Sequence, residues 1–359
     1  MERREEKEKV VLAIVRGCIG NRGVWADSSG RYKDQCWTRD FVLAAMPTLL
    51  DLGEHEAVRN HLINLSRRQR ENGQIPILFL DRTFPFLLGK ASRTLRNRRV
   101  SFMLRRFLEG QLWNLTPGTK DSEILYLIGM QEYARSTGDW GMTRTYASQT
   151  RKALLYIETR LMKDGLVSGC DWRDTMEKEL GGETLLTNNA LLHQAYRLLG
   201  ETEKAEMLRW RINERFWTGS TYLDYLSNRR FDPLGAAFAV LYGIASREQY
   251  KSLAESFQRV NTHHGVTIWC RHNATSSEEA EVIEHTNGVV VWPFVVGFSI
   301  LALLQMGQMD LATDQFKKLV GLNGFQEWYD PATGRGWGAS EQLWSAALFL
   351  RASSVIGFL

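Results

Sequence analysis

Apolar residues recur along this sequence at intervals of three and four positions, the spacing that places them on one face of a helix. The two-position alternation of a half-buried strand is scarce, so we predict an all-α fold. Helix start and stop residues divide the pattern into twelve segments. The predicted helices are 5–20, 37–53, 55–70, 121–138, 141–161, 187–200, 201–216, 232–245, 247–260, 288–307, 308–321 and 340–354.

The links between these helices alternate in length. At most a residue or two follows an even-numbered helix, whereas a long loop follows each odd-numbered one. Short links join antiparallel neighbours, so the pattern predicts six helical hairpins. The long loops are 21–36, 71–120, 162–186, 217–231, 261–287 and 322–339.

The even-numbered helices are more apolar than the odd-numbered ones, as in "ILYLIGM" and "PLGAAFAVLYGIA". A helix that is apolar on every side belongs in the centre of a helical protein. We therefore expect a ring of hairpins, with the even helices inside and the odd helices outside. All the long loops then emerge at one end, above the N-termini of the inner helices, and this end should hold the functional site.

No linker rich in Pro or Ser divides the chain, so we predict a single domain over residues 1–359. The loop 71–120 is the longest and is interpreted as a lid-like insertion. It contains the run from Lys90 to Arg106, which has seven basic residues and no acidic one. A solvated amphipathic lid is one interpretation, and contact with a partner or with anionic lipid is another.

The charge balance argues against a nucleic-acid partner, since 45 Lys and Arg against 41 Asp and Glu leave a net charge of only +4. The four cysteines are scattered without a CxxC pair, which is typical of free thiols in a reducing compartment. The charged start "MERREEKEKVV" lacks the apolar core of a signal peptide, so we expect a cytoplasmic protein. Whether the protein forms a homo-oligomer stays open.

The segment from Thr286 to Met309 carries no charge and is long enough to span a bilayer. It contains Pro293 near its start and internal glycines, and no basic cluster flanks it. We therefore interpret it as a buried inner helix and expect no membrane contact.

The long loops hold seven of the twelve tryptophans. Tryptophans that only filled a core would favour the helices, so this distribution favours an aromatic cleft lined by loops. Flat aromatic faces suit the apolar faces of sugar rings or of other planar ligands.

The junction of the first loop with the second helix reads "KDQCWTRDF". Trp37, Arg39 and Asp40 offer a stacking face, a fork of hydrogen-bond donors and a carboxylate acceptor. Such a set can hold several hydroxyl groups of one ring. The alternative is a capped helix with an internal contact between Arg39 and Asp40.

Two other loops carry carboxyl groups beside aromatic residues. The third loop contains "SGCDWRDTM", with Asp171 and Asp174 on either side of Trp172 and Arg173, and the sixth contains Glu327 in "QEWYDPATGRGWG". These loops lie opposite each other in a ring of six. Hydrolysis of a glycosidic bond needs one carboxyl from each side, an acid for the leaving oxygen and a base for water. A solvated loop is the alternative for each stretch.

His285 and Asn287 precede the most apolar helix, in "EHTNGVVVWPF". They either bind substrate hydroxyl groups at the helix N-terminus or cap the helix, with Asn287 as the N-cap. The histidines show no metal-ligand spacing such as HExxH, and no phosphate-binding loop is visible. We therefore predict no metal and no cofactor.

In their order along the chain, these motifs resemble those of the (α/α)6-barrel glycoside hydrolases, the group of glucoamylases, debranching-enzyme glucosidases, neutral invertases, trehalases, mannosylglycerate hydrolases and processing α-glucosidases. "WTRDF" resembles their W-x-R-D sugar-holding motif, and "KDSEILYLIGM" resembles the segment that brings an aspartate, here Asp121, to the cleft. "NNALL" resembles the start of an inner helix and gives Asn189. "TNGVVVWPF" resembles H-N-G-x-x-W-P, with His285 displaced and one extra residue before Trp292.

The resemblance also implies roles for the carboxyl groups. The family's acid is an Asp in an "S-G-W-D" or "T-W-M-D" context, and "SGCD" puts Asp171 there, with Cys170 in place of the usual aromatic residue. Glu327 matches the base of the motif E-x-Y-[ND]-P-x-T-G, and Asp174 becomes an orienting residue or a partner of Arg173. The candidate substrate-binding residues are Trp37, Arg39, Asp40, Asp121, Trp172, Asn189, Asn287, Trp292 and Trp337.

We therefore expect an exo-acting, inverting glycoside hydrolase with an (α/α)6 toroid fold that acts on a small saccharide, and the resemblance implies α-linked glucosides. Asp171 is expected to be the general acid, its pKa raised by burial and by Trp172, with Glu327 as the general base. An inverting enzyme needs the two carboxyl groups about 6.5–9.5 Å apart. The alternatives are phosphorolysis or epimerisation of a sugar on the same barrel, and a non-catalytic sugar-binding protein.

Overall fold

The computed structural model describes residues 2–81, 118–271, 274 and 276–357. Helices dominate it, and its strands are only two or three residues long. The prediction of an all-α fold is therefore confirmed. Most of the insertion predicted at 71–120 lies outside the described residues, and so does the whole basic run from Lys90 to Arg106, so both interpretations stay predictions.

Within the described residues, twelve helices build a double ring, two of them composed of consecutive segments. The inner helices are Asp40–Ala45 continued by Met46–Asp51, then Ser122–Thr137, Leu186–Leu199, Pro233–Leu241, Pro293–Gln305 and Leu343–Gly357. The outer helices are Glu2–Gly17, His55–Arg67, the run Trp140–Thr145, Ala147–Tyr156 and Ile157–Leu161, then Thr202–Phe216, Tyr250–Arg259 and Met309–Gly321. The long loops contain the short helices Asp174–Met176, Glu177–Leu180 and Ser277–His285.

In the part of the chain that the structure describes, five antiparallel strand pairs lie at the loop end of the ring. The strand Gln35–Trp37 pairs with Leu78–Leu80, which joins the first long loop to the second. The other pairs are Met162–Lys163 with Leu166–Val167, Asn261–Thr262 with Gly265–Val266, Ile268–Trp269 with Val289–Val290, and Trp328–Tyr329 with Gly336–Trp337.

The inner helices form a closed ring. Each of them contacts the next, and the last, Leu343–Gly357, contacts the first at Asp40–Ala45. In Pro233–Leu241 every residue except Leu241 is buried, as the apolar pattern of the even helices predicted. Because burial of apolar side chains is the main favourable term in folding, these helices supply the core, and they fix where the loops above them begin.

Local sequence signals explain the tight turns between inner and outer helices. Ser122–Thr137 and Leu186–Leu199 end at Gly138 and Gly200, whose φ angles of 76° and 80° lie in the left-handed region that glycine adopts without a steric penalty. The helix Pro233–Leu241 begins with a proline preset for the first turn, and the Asp232 carboxyl accepts from the Leu234 N–H.

Four predicted helix starts were wrong by three residues or more, those at 5, 37, 288 and 340, and two of these errors come from strand pairing. The helix predicted from 37 begins at Asp40, because Trp37 pairs with Leu78 in a strand. The helix predicted from 288 begins at Pro293, because Val289 and Val290 pair with the fifth loop. The uncharged segment from Thr286 to Met309 is therefore not one continuous helix. Among the described residues, no helix combines the length and apolar character needed to cross a membrane.

Candidate active site

A cavity of about 160 Å³ lies at the end of the ring where the inner helices begin. Its walls come from the first, third, fifth and sixth long loops and from the starts of three inner helices. The residues that line it are Arg31, Tyr32, Trp37, Arg39, Asp40, Trp172, Arg173, Asp174, Thr175, Cys270, Trp292, Glu327, Gln342 and Trp344. The loops that the sequence assigned to one end thus meet around one cavity.

Glu327 lies on the wall formed by the sixth loop, and its carboxylate is firmly held. The Tyr32 hydroxyl donates to Oε1 at 3.0 Å, and the Ala339 N–H donates to Oε2 at 2.9 Å. Arg31 Nη1 lies 3.6 Å from Oε2. The backbone can come this close to the Glu327 carboxylate because residue 338 is a glycine. A Cβ there would lie 2.3 Å from Glu327 Oε2. Glu327 is 3% exposed, so it faces the cavity with a fixed orientation.

Asp174 lines the same cavity from the third loop. Its side chain is 22% exposed, and its Oδ2 lies 3.6 Å from Arg39 Nη1. Arg39 is buried, donates from Nη1 to the Trp172 carbonyl at 2.7 Å, and pairs through Nε with Asp121 Oδ2 at 3.2 Å. Among the carboxyl groups of the third loop, Asp174 is therefore the one that a bound molecule can reach.

Asp171 does not line the cavity, contrary to its predicted role as the acid. Its two oxygens accept from Arg173 Nε and Nη2 at 3.0 and 2.8 Å, and Oδ2 also accepts from the Thr187 hydroxyl at 2.5 Å. Burial raises the pKa of Asp171, but the charge and hydrogen bonds of Arg173, together with Thr187, outweigh burial and leave this pKa below its ordinary value. The predicted upward shift was wrong, because the sequence did not show that Arg173 turns inward and pairs with Asp171.

Asp40 and Gln342 form a polar pair at the base of the cavity. Gln342 Nε2 donates to Asp40 Oδ1 at 3.0 Å, and Gln342 Oε1 is buried without a hydrogen-bond partner among the described residues. Burial raises the pKa of Asp40 well above its ordinary value, and Arg39 offsets only part of that shift. The base therefore offers an available acceptor and a carboxyl group that favours its protonated form, both suited to hydroxyl groups.

An aromatic wall completes the cavity. Trp172 makes edge-to-face contacts with Trp292, Phe294 and Trp344, at centroid distances of 5.1, 5.0 and 6.0 Å. Trp37 lies on the same cavity, with Tyr32 edge-on at 6.1 Å. These indoles belong to the third loop and to the starts of the first, fifth and sixth inner helices. The aromatic cleft that the tryptophan distribution predicted is therefore present.

Four predicted substrate-binding residues do not line the cavity. Asp121 is buried against Arg39, and the Asn189 amide is saturated by the backbone of Val167 and Leu185. Asn287 is exposed, does not cap the following helix, and accepts from Arg271. Trp337 stacks on Trp328 at 6.1 Å, outside the wall. Asp121 and Asn189 therefore stabilise the residues around the cavity. Asn287 lies away from the cavity because Val289 and Val290 form a strand and the fifth inner helix begins only at Pro293.

Sequence reasoning missed six residues on the wall, two of them Thr175 in the third loop and Cys270 in the fifth. Arg31 and Tyr32 precede the W-x-R-D motif, and only their place in the first loop pointed to the site. Gln342 and Trp344 flank the start of the last inner helix. The site was predicted at this end of the ring, but no motif pointed to these two residues. Among the described residues, no three His, Cys, Asp or Glu side chains come together as metal ligands would.

Comparison with known proteins relates this chain to others through its fold. No family model and no curated protein matches it. A solved glycosidase variant in complex with glucose is 14% identical, with 100% of this chain and 98% of that chain covered and a TM-score of 0.69. The wild-type glycosidase is 13% identical over 100% and 98%, with a TM-score of 0.67.

A third similar structure is a GH63 mannosylglycerate hydrolase from Thermus thermophilus in complex with glucose. It is 14% identical, with 96% of this chain and 99% of that chain covered and a TM-score of 0.64. Coverage of nearly the full length of each chain confirms the (α/α)6 barrel fold that the sequence predicted.

Proposed function

We propose that this protein is a glycoside hydrolase in which Asp174 is the general acid and Glu327 the general base. The observation that carries the proposal is the pair of carboxyl groups from opposed loops on one aromatic-walled cavity. The glycosidases that share the fold support the same reaction class. In this mechanism Asp174 protonates the leaving oxygen while Glu327 takes a proton from the attacking water.

The two carboxyl groups differ in the way that these roles require. Glu327 accepts hydrogen bonds from Tyr32 and from the Ala339 N–H and lies beside Arg31, so its carboxyl group is held in one orientation on the wall, as a base that activates water must be. Asp174 has a looser contact within the described part of the chain, since Arg39 Nη1 lies 3.6 Å from its Oδ2. Its oxygens are therefore available to a leaving group.

The remaining wall residues suit a pyranose ring. Trp37, Trp172, Trp292 and Trp344 line the cavity with aromatic rings, and the Arg39, Asp40 and Gln342 group presents donors and acceptors for hydroxyl groups. We propose that an α-linked glucoside or a related small saccharide occupies the cavity, and that hydrolysis inverts the anomeric centre. The glucose bound in two of the similar structures supports this choice of ring.

The test is hydrolysis of a panel of α-linked disaccharides and small glycosides, followed by anomer-resolved NMR. Asp174→Asn and Glu327→Gln should each lower kcat by about 10²- to 10⁴-fold. Asp310→Asn and Glu214→Gln are matched controls, because both side chains are exposed on outer helices, and these variants should keep full turnover. A first-formed product that retains the anomeric configuration would overturn inversion.

A second substrate distinguishes a general acid from a residue that is needed only for the fold. A glycosyl fluoride needs little protonation of its leaving group, so Asp174→Asn should regain much of its turnover on the fluoride, whereas Glu327→Gln should not. An Asp174→Asn variant with near-normal turnover on disaccharides would contradict the assignment. The assignment would also be contradicted if Asp171→Asn, and not Asp174→Asn, regained its turnover on the glycosyl fluoride.

A further inference from the structure

The segment from Trp172 to Asp174 is anchored by a fully buried arginine. Arg173 Nε and Nη2 donate to Asp171 at 3.0 and 2.8 Å, and Nη1 and Nη2 donate to Asp224 at 2.8 and 2.7 Å. Nη1 also lies 3.5 Å from the Trp269 carbonyl oxygen. The Arg173 side chain is 0% exposed, and each of its five N–H donors has an acceptor.

The groups that hold Arg173 are themselves tied to the barrel. Asp171 is bonded to the Thr187 hydroxyl on the third inner helix, and the Asp224 carbonyl accepts from the Leu186 N–H at the start of that helix. Asp224 belongs to the fourth loop and Trp269 to the fifth. The guanidinium group therefore joins three loops and one inner helix at a single point beneath the cavity.

A second buried arginine holds the same segment from the cavity side. Arg39 donates to the Trp172 carbonyl at 2.7 Å and is in turn paired with Asp121. The segment of three residues is thus fixed between two guanidinium groups, with Trp172 and Asp174 on the wall. A general acid must be within hydrogen-bond reach of the leaving oxygen, and a displacement of about 1 Å can cost roughly 10²-fold in rate.

We propose that Arg173 is a positioning residue, and that its paired forks to Asp171 and Asp224 fix the Asp174 carboxyl toward the cavity. This inference rests on the proposed role of Asp174 as the acid. It gives Asp171 a function that is different from proton transfer, since its carboxylate acts only through Arg173. It also explains why an arginine is needed, because lysine has no planar fork that can serve two carboxylates at once.

The experiment compares Arg173→Lys and Asp224→Asn with Arg209→Lys, a control on the exposed face of an outer helix. Both network variants should lower kcat about 10- to 100-fold, with KM changed less than about threefold. The alkaline limb of the pH profile of kcat, which reports the acid, should shift, whereas the acidic limb should stay. The limbs are compared only over the pH range in which circular dichroism shows each variant to be folded, so a loss of stability does not move them.

Each outcome decides the inference. Folded variants with unchanged pH limbs and kcat within twofold of the wild type would overturn it. Failure of both variants to fold would also overturn it, in favour of a purely structural network, since Asp224→Asn preserves shape and leaves the fork to Asp171 intact. Asp174→Asn is assayed in parallel. If that variant keeps its turnover, the proposed function fails, whereas the positioning role alone fails if Asp174→Asn is inactive and the network variants are normal.

Discussion

Glu123 is a buried carboxyl group that works against stability at high pH. It is 3% exposed, and its Oε1 accepts from the Ile75 N–H at 3.0 Å. Burial raises its pKa to about 7, and the hydrogen bond from Ile75 offsets only part of that shift. The folded chain therefore binds this proton more tightly than the unfolded chain does. The contribution of Glu123 to the free energy of unfolding falls as the pH rises from about 4.5 to 7.

Glu123→Gln should remove this penalty, because glutamine keeps an oxygen for the Ile75 N–H and cannot ionise. We expect the melting temperature to rise by a few degrees at pH 8 and to change little at pH 4.5. Calorimetry at the two pH values measures the difference, with the exposed Glu214→Gln as the control. A shift of the same size at both pH values would contradict the cause given.

The choice between Asp171 and Asp174 shows where sequence reasoning ends at this scale. The sequence and its resemblance to known glycosidases correctly indicated Glu327, Trp172 and the third loop as parts of one cavity. They could not indicate which aspartate faces it, because that depends on Arg173. This arginine turns away from the solvent toward Asp224, a residue about 50 positions later whose approach only the folded ring brings about.

At the scale of the elements, the fifth and sixth inner helices approach each other closely at Gly297, where there is no room for a Cβ atom. A Cβ at Gly297 would lie 2.6 Å from the Leu348 Cβ, so alanine there would force the two helices apart. Overpacking of this kind costs about 1–3 kcal/mol, more than the gain of up to about 1 kcal/mol in helix propensity. Gly297→Ala should therefore lower the free energy of unfolding.

Gly321→Ala is the matched control, because no described atom lies within 4 Å of a Cβ at that helical position. Urea unfolding of the two variants with equal m-values gives the comparison. If Gly297→Ala proves as stable as Gly321→Ala, the helices can separate at no cost and the packing argument fails.

The helices themselves were largely predictable, and two of the late starts have one cause. Inner and outer helices follow from hydrophobic periodicity and from glycines such as Gly138 and Gly200, which are local signals. The late starts at Asp40 and Pro293 follow from pairing with strands distant in sequence, Leu78–Leu80 and Ile268–Trp269. No local pattern contains that partner, so the loop end of the ring was predicted less well than its core.

At the scale of the whole molecule, the closed inner ring limits what the cavity can accept. Buried side chains of the inner helices lie beneath it, and its volume of about 160 Å³ is below the roughly 300–1,000 Å³ of typical ligand pockets. A chain cannot pass through such a cavity, so we expect one sugar to be removed from a chain end. An oligosaccharide labelled at its reducing end should release unlabelled monosaccharide first. Early labelled fragments of intermediate length would contradict exo action.

Ring closure also sets the order in which this protein can be completed during synthesis. Arg4 on the first outer helix donates to the hydroxyl and carbonyl oxygens of Ser353, both at 2.8 Å, across 349 positions of sequence. At about 5–20 residues per second, the ribosome needs roughly tens of seconds to make that partner. Meanwhile the first outer helix, whose Val11, Ile14 and Val15 are buried in the finished ring, lacks the last inner helix that it contacts, and the ring stays open until that helix is made.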